Sequence, residues 1–196
     1  TLLDQALTPD ASVLHPRLLS ASVLYALTDD VSLVLRADAG GRSSRTTSIA
    51  QPSTPAADLS QRTTLRIRLQ STLGAQFTAL RWHGRTSTPM HDHLRLQFGG
   101  GGGVVSYQLD QRGTFVDAAR SLAYGAAYRS VGTGGVAYAT SSLEIPVQRL
   151  ATISASLRRQ WGSARMTQDY ATFDRLDFGG TTASVGLVLH PFGGGR

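Results

Sequence analysis

Between residues 151 and 161 the chain splits by parity. Ala151, Ile153, Ala155, Leu157 and Trp161 take odd positions, and Thr152, Ser154, Ser156, Arg158 and Gln160 take even ones. Successive side chains of a strand point to opposite faces, so this is a strand with one apolar and one polar side. Arg159 alone interrupts the apolar file, close to the strand's end, where a long side chain reaches water. Residues 181–189 repeat the pattern, with Ala183, Val185, Leu187 and Leu189 set against Thr182, Ser184 and Gly186.

The same period of two runs through most of the chain. Residues 17–27 and 31–39 alternate, and Thr28-Asp29-Asp30 between them is a tight-turn signal, which predicts a hairpin. Residues 40–60 are rich in Ser, Thr, Pro and Gly and read as a long loop. Strands are predicted at 63–71 and 75–83, separated by a short turn at 72–74. In the second, Phe77 and Ala79 share one face while Leu80 and Trp82 fall on the other, the mark of a bulge. Residues 93–109 alternate on both sides of five glycines, Gly99 to Gly103. They form either one long strand with a softened middle or a hairpin turning through the glycines. Further strands follow at 121–129 and 136–145, with a glycine-rich turn at 131–135 and Pro146 ending the second. The count is nine, or ten if the glycines turn or residues 1–16 add a strand.

An apolar run of about 18 residues, which a spanning helix requires, occurs nowhere. A barrel strand needs only alternate residues apolar, so mean hydropathy can stay near zero, as the value of -0.10 does here. The chain contains no cysteine, hence no disulfide framework or thiolate metal site. All 19 basic residues are arginine, and the net charge is +6. The arginines are spread along the sequence without a basic run, which favours solvated or lumen-lining roles over a nucleic-acid partner. The opening segment lacks a basic stretch followed by an apolar one, so an exported chain would be in its mature form.

With strands such as ATISASLRRQW, turns such as ALTDDVSL and EIPVQRL, and the closing ASVGLVLHPF, the chain resembles bacterial outer-membrane β-barrel proteins in general. The resemblance implies an all-β fold, an antiparallel transmembrane β-barrel of about eight to ten strands in the bacterial outer membrane. It assigns residues 1–16 to a tether, plug or partial strand, 17–192 to the barrel and 193–196 to a tail. It implies that Phe192 serves recognition by the barrel-insertion machinery. Two features depart from the pattern: Phe192 is followed by Gly193 to Arg196, and His190 stands where an apolar residue is usual. Short turns on one rim and longer loops on the other fit the same class. Tyr25, Tyr107, Tyr124, Tyr128, Tyr138 and Trp161 are candidates for its interfacial aromatic girdles.

In such a barrel parity places Leu33, Leu35, Leu65, Ile67, Ile153, Leu157, Val185 and Leu187 against lipid. Arg36, Asp38, Arg66, Arg68, Arg95 and Arg158 fall on the polar faces. They are expected to line the lumen as ion-pair and hydrogen-bond networks. His91-Asp92-His93, with His83, is the one cluster with metal-ligand spacing, but it lacks a fourth ligand and no metal is expected. No G-x-S-x-G, S-x-x-K or H-E-x-x-H motif occurs, and Glu144 is the sole glutamate, so neither catalysis nor a cofactor is expected. The expected function is a structural, anchoring or assembly role in the outer membrane, with lipid, the insertion machinery and other subunits as partners. The alternatives are a soluble secreted all-β module pairing by its strand edges and a small anion-selective pore.

Overall fold

Thr28, Asp29 and Asp30 turn the chain sharply, so that β1 (Arg17–Ala26) pairs antiparallel with β2 (Val31–Ser48). The Thr28 hydroxyl fixes the turn by accepting the amides of Asp30 and Val31 at 3.3 and 3.0 Å. In the computed structural model, residues 16–48, 59–82, 94–117, 122–148, 151–173 and 175–189 are described. The chain continues as an antiparallel meander through β3 (Leu59–Trp82), β4 (Leu94–Asp117), β5 (Leu122–Gln148) and β6 (Ala151–Arg165). A single 3-10 turn (Gln168–Tyr170) leads into β7 (Arg175–Asp177) and β8 (Gly180–Leu189), both on the same edge of β6. Asp177 lies opposite Ser163 and Gly180 opposite Gln160, three residues further along both strands. β7 and β8 are therefore one strand in one register, interrupted at Phe178 and Gly179.

Several predicted breaks lie inside strands. Thr72 to Gly74 run through β3, and residues 131–135 run through β5, because each glycine there has a ladder partner on a neighbouring strand. Pro146 pairs with Thr152 near the end of β5. The predicted difference in loop length between the two rims goes with those turns. The five glycines form one strand, as the first of the two alternatives had it. The predicted bulge in β3 is also present, as a register shift between Thr78 and Leu80. Residues 1–15, the histidine cluster and Phe192 lie outside the described residues.

The sheet curls strongly. Arg158 on β6 reaches Asp38 on β2 at 3.5 Å, although four strand spacings in a flat sheet come to about 19 Å. Gln70 on β3 bonds Gln160 on β6 at 2.7 Å across three spacings, about 14 Å when flat. Ser22 and Leu24 of β1 and Val188 of β8 line one cavity of about 100 Å³, so the two edges face each other across a trough. Among the described residues those edges do not pair: the sheet is an open, curled one, not a closed barrel.

Glycine permits the curl at β4. Gly101 points into the trough, and a Cβ there would meet the Leu73 carbonyl oxygen and stand 2.5 Å from the Gly74 Cα, both rigid backbone. Gly74 in turn lies under the Tyr138 hydroxyl. Gly101→Ala is expected to cost about 1–3 kcal/mol through overpacking that no rotamer can relieve. Gly125→Ala, where a Cβ meets nothing within 4 Å, should be close to neutral. Equilibrium urea unfolding of the two variants measures the contrast, and equal midpoints would remove the steric account.

Candidate functional site: a curled sheet with inverted polarity

Over the half of the sheet nearest the Thr28–Asp30 turn, polarity runs opposite to that of a protein folded around an apolar core. The face turned into the trough is polar and buried, and the face turned outward is apolar and exposed. Outward rows follow from the ladder register. Val23, Leu35, Leu73, Gly102, Ala137 and Trp161 lie side by side across six strands. A second row holds Leu80, Leu96, Leu143, Ala155 and Val185. Leu35, Leu73, Phe77, Val104, Leu157, Val185 and Leu187 are all exposed. The outward apolar stretch runs over residues 94–104 on β4, 137–147 on β5 and 151–161 on β6. Each stretch has the length of a spanning strand, about 9–11 residues.

Inside the trough the polar groups are tied together. Asp38, 1% exposed, accepts from Ser20 Oγ and from Arg36 Nε at 2.7 Å, and faces Arg158. The Arg158 guanidinium also stacks 3.9 Å from the centre of the Tyr138 ring. Its Nε and Nη2 have no hydrogen-bond partner among the described residues. Gln76 donates to Ser142 Oγ at 2.9 Å and also bonds Gln97, whose amide reaches Glu144 Oε2 at 3.3 Å. Arg95 lies opposite Glu144 in the ladder.

Beyond this half the polarity reverts. Leu65, Ile67, Val105, Tyr107, Leu109, Val136, Ala164, Tyr170 and Leu176 form an ordinary apolar core inside the sheet. The segment after β6 folds onto it through a chain of hydrogen bonds. The Thr167 amide donates to Ser130 Oγ at 3.0 Å, Ser130 and the Tyr107 hydroxyl lie 3.0 Å apart, and Tyr107 donates to the Arg165 carbonyl at 3.0 Å. Tyr170 donates to Gln111 Oε1 at 2.8 Å. Burial pushes the Tyr170 hydroxyl well above its ordinary value, with the Asp169 carboxylate adding to the effect. Tyr128, bonded to Tyr124 at 3.1 Å, is pushed up to about 12, first by that bond and then by burial. A raised tyrosine stabilises the fold below the unfolded value of 10.0 and loses that contribution as pH rises through the folded value. This end of the sheet is therefore expected to lose stability as pH climbs from about 10 to about 12. An absorbance titration should show Tyr128 and Tyr170 ionising above the ordinary tyrosine value, and Tyr170→Phe should remove one of these late steps. Tyr128 and Tyr170 ionising at the ordinary value would contradict the packing.

The sequence-based assignments divide at one residue. Leu33, Leu35, Ile153, Leu157, Val185 and Leu187 are exposed on the outward face, as parity predicts. Leu65 and Ile67 are not: at 2% and 5% exposure they belong to the inner core. Arg36, Asp38, Arg95 and Arg158 point into the trough, whereas Arg66 and Arg68 point out, Arg68 donating to Gln108 at 2.8 Å. The cause is a bulge. Ile67 opposes Tyr107 and Leu69 opposes Ser106, so Arg68 is an extra residue that exchanges the faces of β3. Of the girdle aromatics, Tyr107 and Tyr138 are buried in the interior, while Tyr25 and Trp161 are exposed beside the apolar rows.

Sequence reasoning missed a group of arginines on the outer face. Arg45 lies opposite Arg62, and Arg62 opposite Arg112, on three adjacent strands. Arg17 and Arg66 flank Gly41 two rows away, beyond the row of Ser43, Thr64 and Asp110. Alternation in QRTTLRIRLQ marks Arg62, Arg66 and Arg68 as sharing a polar face, but only the register brings the other strands' arginines beside them. No family model matches the chain, and neither a curated protein nor a solved structure matches it.

Proposed function

We propose that this chain forms the wall of a bacterial outer-membrane β-barrel and acts as a structural, anchoring or assembly component there. The observation that carries the proposal is the inverted half of the sheet. A curled sheet that buries Asp38, Gln70, Gln97, Glu144 and Arg158 while exposing Leu35, Leu73, Leu157 and Leu187 has its apolar side toward its surroundings. Water opposes that arrangement at roughly 25 cal/mol per Å² of apolar surface, and hydrocarbon favours it. The remaining half, apolar within and polar without, is suited to standing clear of the lipid.

Closure needs strands beyond those described. Among the described residues β1 and β8 are unpaired edges, which lipid cannot satisfy. In a meander of seven strand positions they run in the same direction, so an odd number of further strands would make every junction antiparallel. Other chains could supply them, and the free edges equally favour the reading as a soluble module that assembles by edge pairing. The inner Arg36 and Arg158 share Asp38, an arrangement that supports a filled interior over a path for anions.

Partition between detergent and aqueous fractions, with a heat-modifiable band on a gel, separates the membrane and soluble readings. The barrel wall should require detergent and should migrate faster unheated. A monodisperse protein in buffer alone would refute the membrane reading.

A further inference from the structure

We propose that the outer-face arginines of β1 to β4, Arg17, Arg45, Arg62, Arg66 and Arg112, bind phosphate groups of an anionic lipid whose chains lie on the apolar rows below them. The inference rests on the membrane reading above. Arg45, Arg62 and Arg112 stand directly opposite one another on adjacent strands, where Cβ atoms are about 5 Å apart and like charges repel. All five are exposed. The carboxylate set among them is already engaged: Asp110 accepts from Gln108 at 2.6 Å and lies 3.8 Å from Arg129.

A phosphate shared between facing guanidinium groups turns that repulsion into paired, charge-assisted hydrogen bonds, which the planar fork of arginine fits well. Arg17 and Arg66 stand on either side of Gly41, whose missing side chain lets the Arg66 stem lie close against β2. Position selects a lipid over a soluble phosphate. Arg17 is two residues, about 7 Å, from the exposed Leu19, and Arg66 three residues, about 10 Å, from the exposed Leu69. The cationic group therefore begins where the apolar rows end, at the level of headgroups. The row of three arginines lies further along the strands, within reach of a headgroup carrying more than one phosphate.

The test uses the full chain reconstituted in phosphatidylcholine vesicles with and without a diphosphorylated anionic lipid. Lipid retained after mild detergent extraction is identified by native mass spectrometry. The protein should retain the phosphorylated lipid at least tenfold over phosphatidylcholine, since each arginine near a membrane surface contributes about fivefold. R45Q/R62Q/R112Q should lose most of that preference, while R45K/R62K/R112K, which keeps charge but not the fork, should keep part of it. Circular dichroism should show the glutamine variant as well folded as the parent, because it removes repulsion from an exposed face. Equal retention of both lipids, or an unchanged preference in the glutamine variant, would overturn the site. So would full displacement by inorganic phosphate or another soluble polyanion, which would mark the site as one for soluble phosphates. Failure to enter phosphatidylcholine vesicles at all would instead remove the membrane reading and this inference with it.

Discussion

Asp38→Ala is expected to cost about 3–5 kcal/mol, the range for removing one partner of a buried ion pair. Asp38 is the point at which three strands meet. Ser20 of β1 and Arg36 of β2 bond it, and Arg158 of β6 faces it from across the trough. Without the carboxylate, Arg36 and Arg158 are two cations sharing one pocket, and Arg158 keeps only the face of Tyr138. The loss should fall on the curl as well as on global stability, because this contact bridges strands that a flat sheet holds far apart. Unfolding in urea after reconstitution measures the first effect, and protease sensitivity at the β1 and β8 edges the second. Asp38→Asn combined with Arg158→Met removes the bridging pair and leaves Arg36 bonded to Ser20, so it should recover part of the stability. A loss below about 1 kcal/mol for Asp38→Ala would mean that water satisfies the arginines and that the pair does not hold the trough together.

The strands were legible because their period of two survives any tertiary context in which one face differs from the other. That is why residues 151–161 and 181–189 could be placed on strands, and Ile153 and Leu187 on a face, from the sequence alone. Strand ends were less legible. Gly74 and Gly132 look like turn residues, yet in this sheet glycine marks close approach: Gly74 lies under the Tyr138 hydroxyl, and a Cβ at Gly132 would stand 2.9 Å from the Tyr107 ring. A turn and a tight crossing ask the same thing of a side chain, its absence, so composition could not separate them. The bulge at Arg68 was illegible for another reason. Apolar residues stay alternate through Leu65, Ile67 and Leu69, and only the change in what each faces reveals the shift. The arginine group was hidden because its members are adjacent through register alone, from Arg17 to Arg112.

Ile153→Arg is expected to cost about 1–2 kcal/mol in lipid, between the penalties for a cation at the interface and at the midplane of a barrel wall. Ile153 lies on the outer face between Ile145 of β5 and Leu187 of β8, both exposed, one row in from the end of the apolar stretch. The direction of the effect separates the two surroundings the fold could occupy. In water an exposed isoleucine on a sheet surface exchanges for arginine within about 0.5 kcal/mol, and solubility improves. In hydrocarbon the same guanidinium must snorkel or drag water inward. Ser154→Arg, one residue on, puts the charge into the trough opposite Glu144, which can pair with it, so this neighbour should be the milder change in lipid. Folding yield into phosphatidylcholine vesicles and urea midpoints of the two variants give the comparison. A parental yield and midpoint for Ile153→Arg would place the outer face in water, and the membrane proposal would then be abandoned.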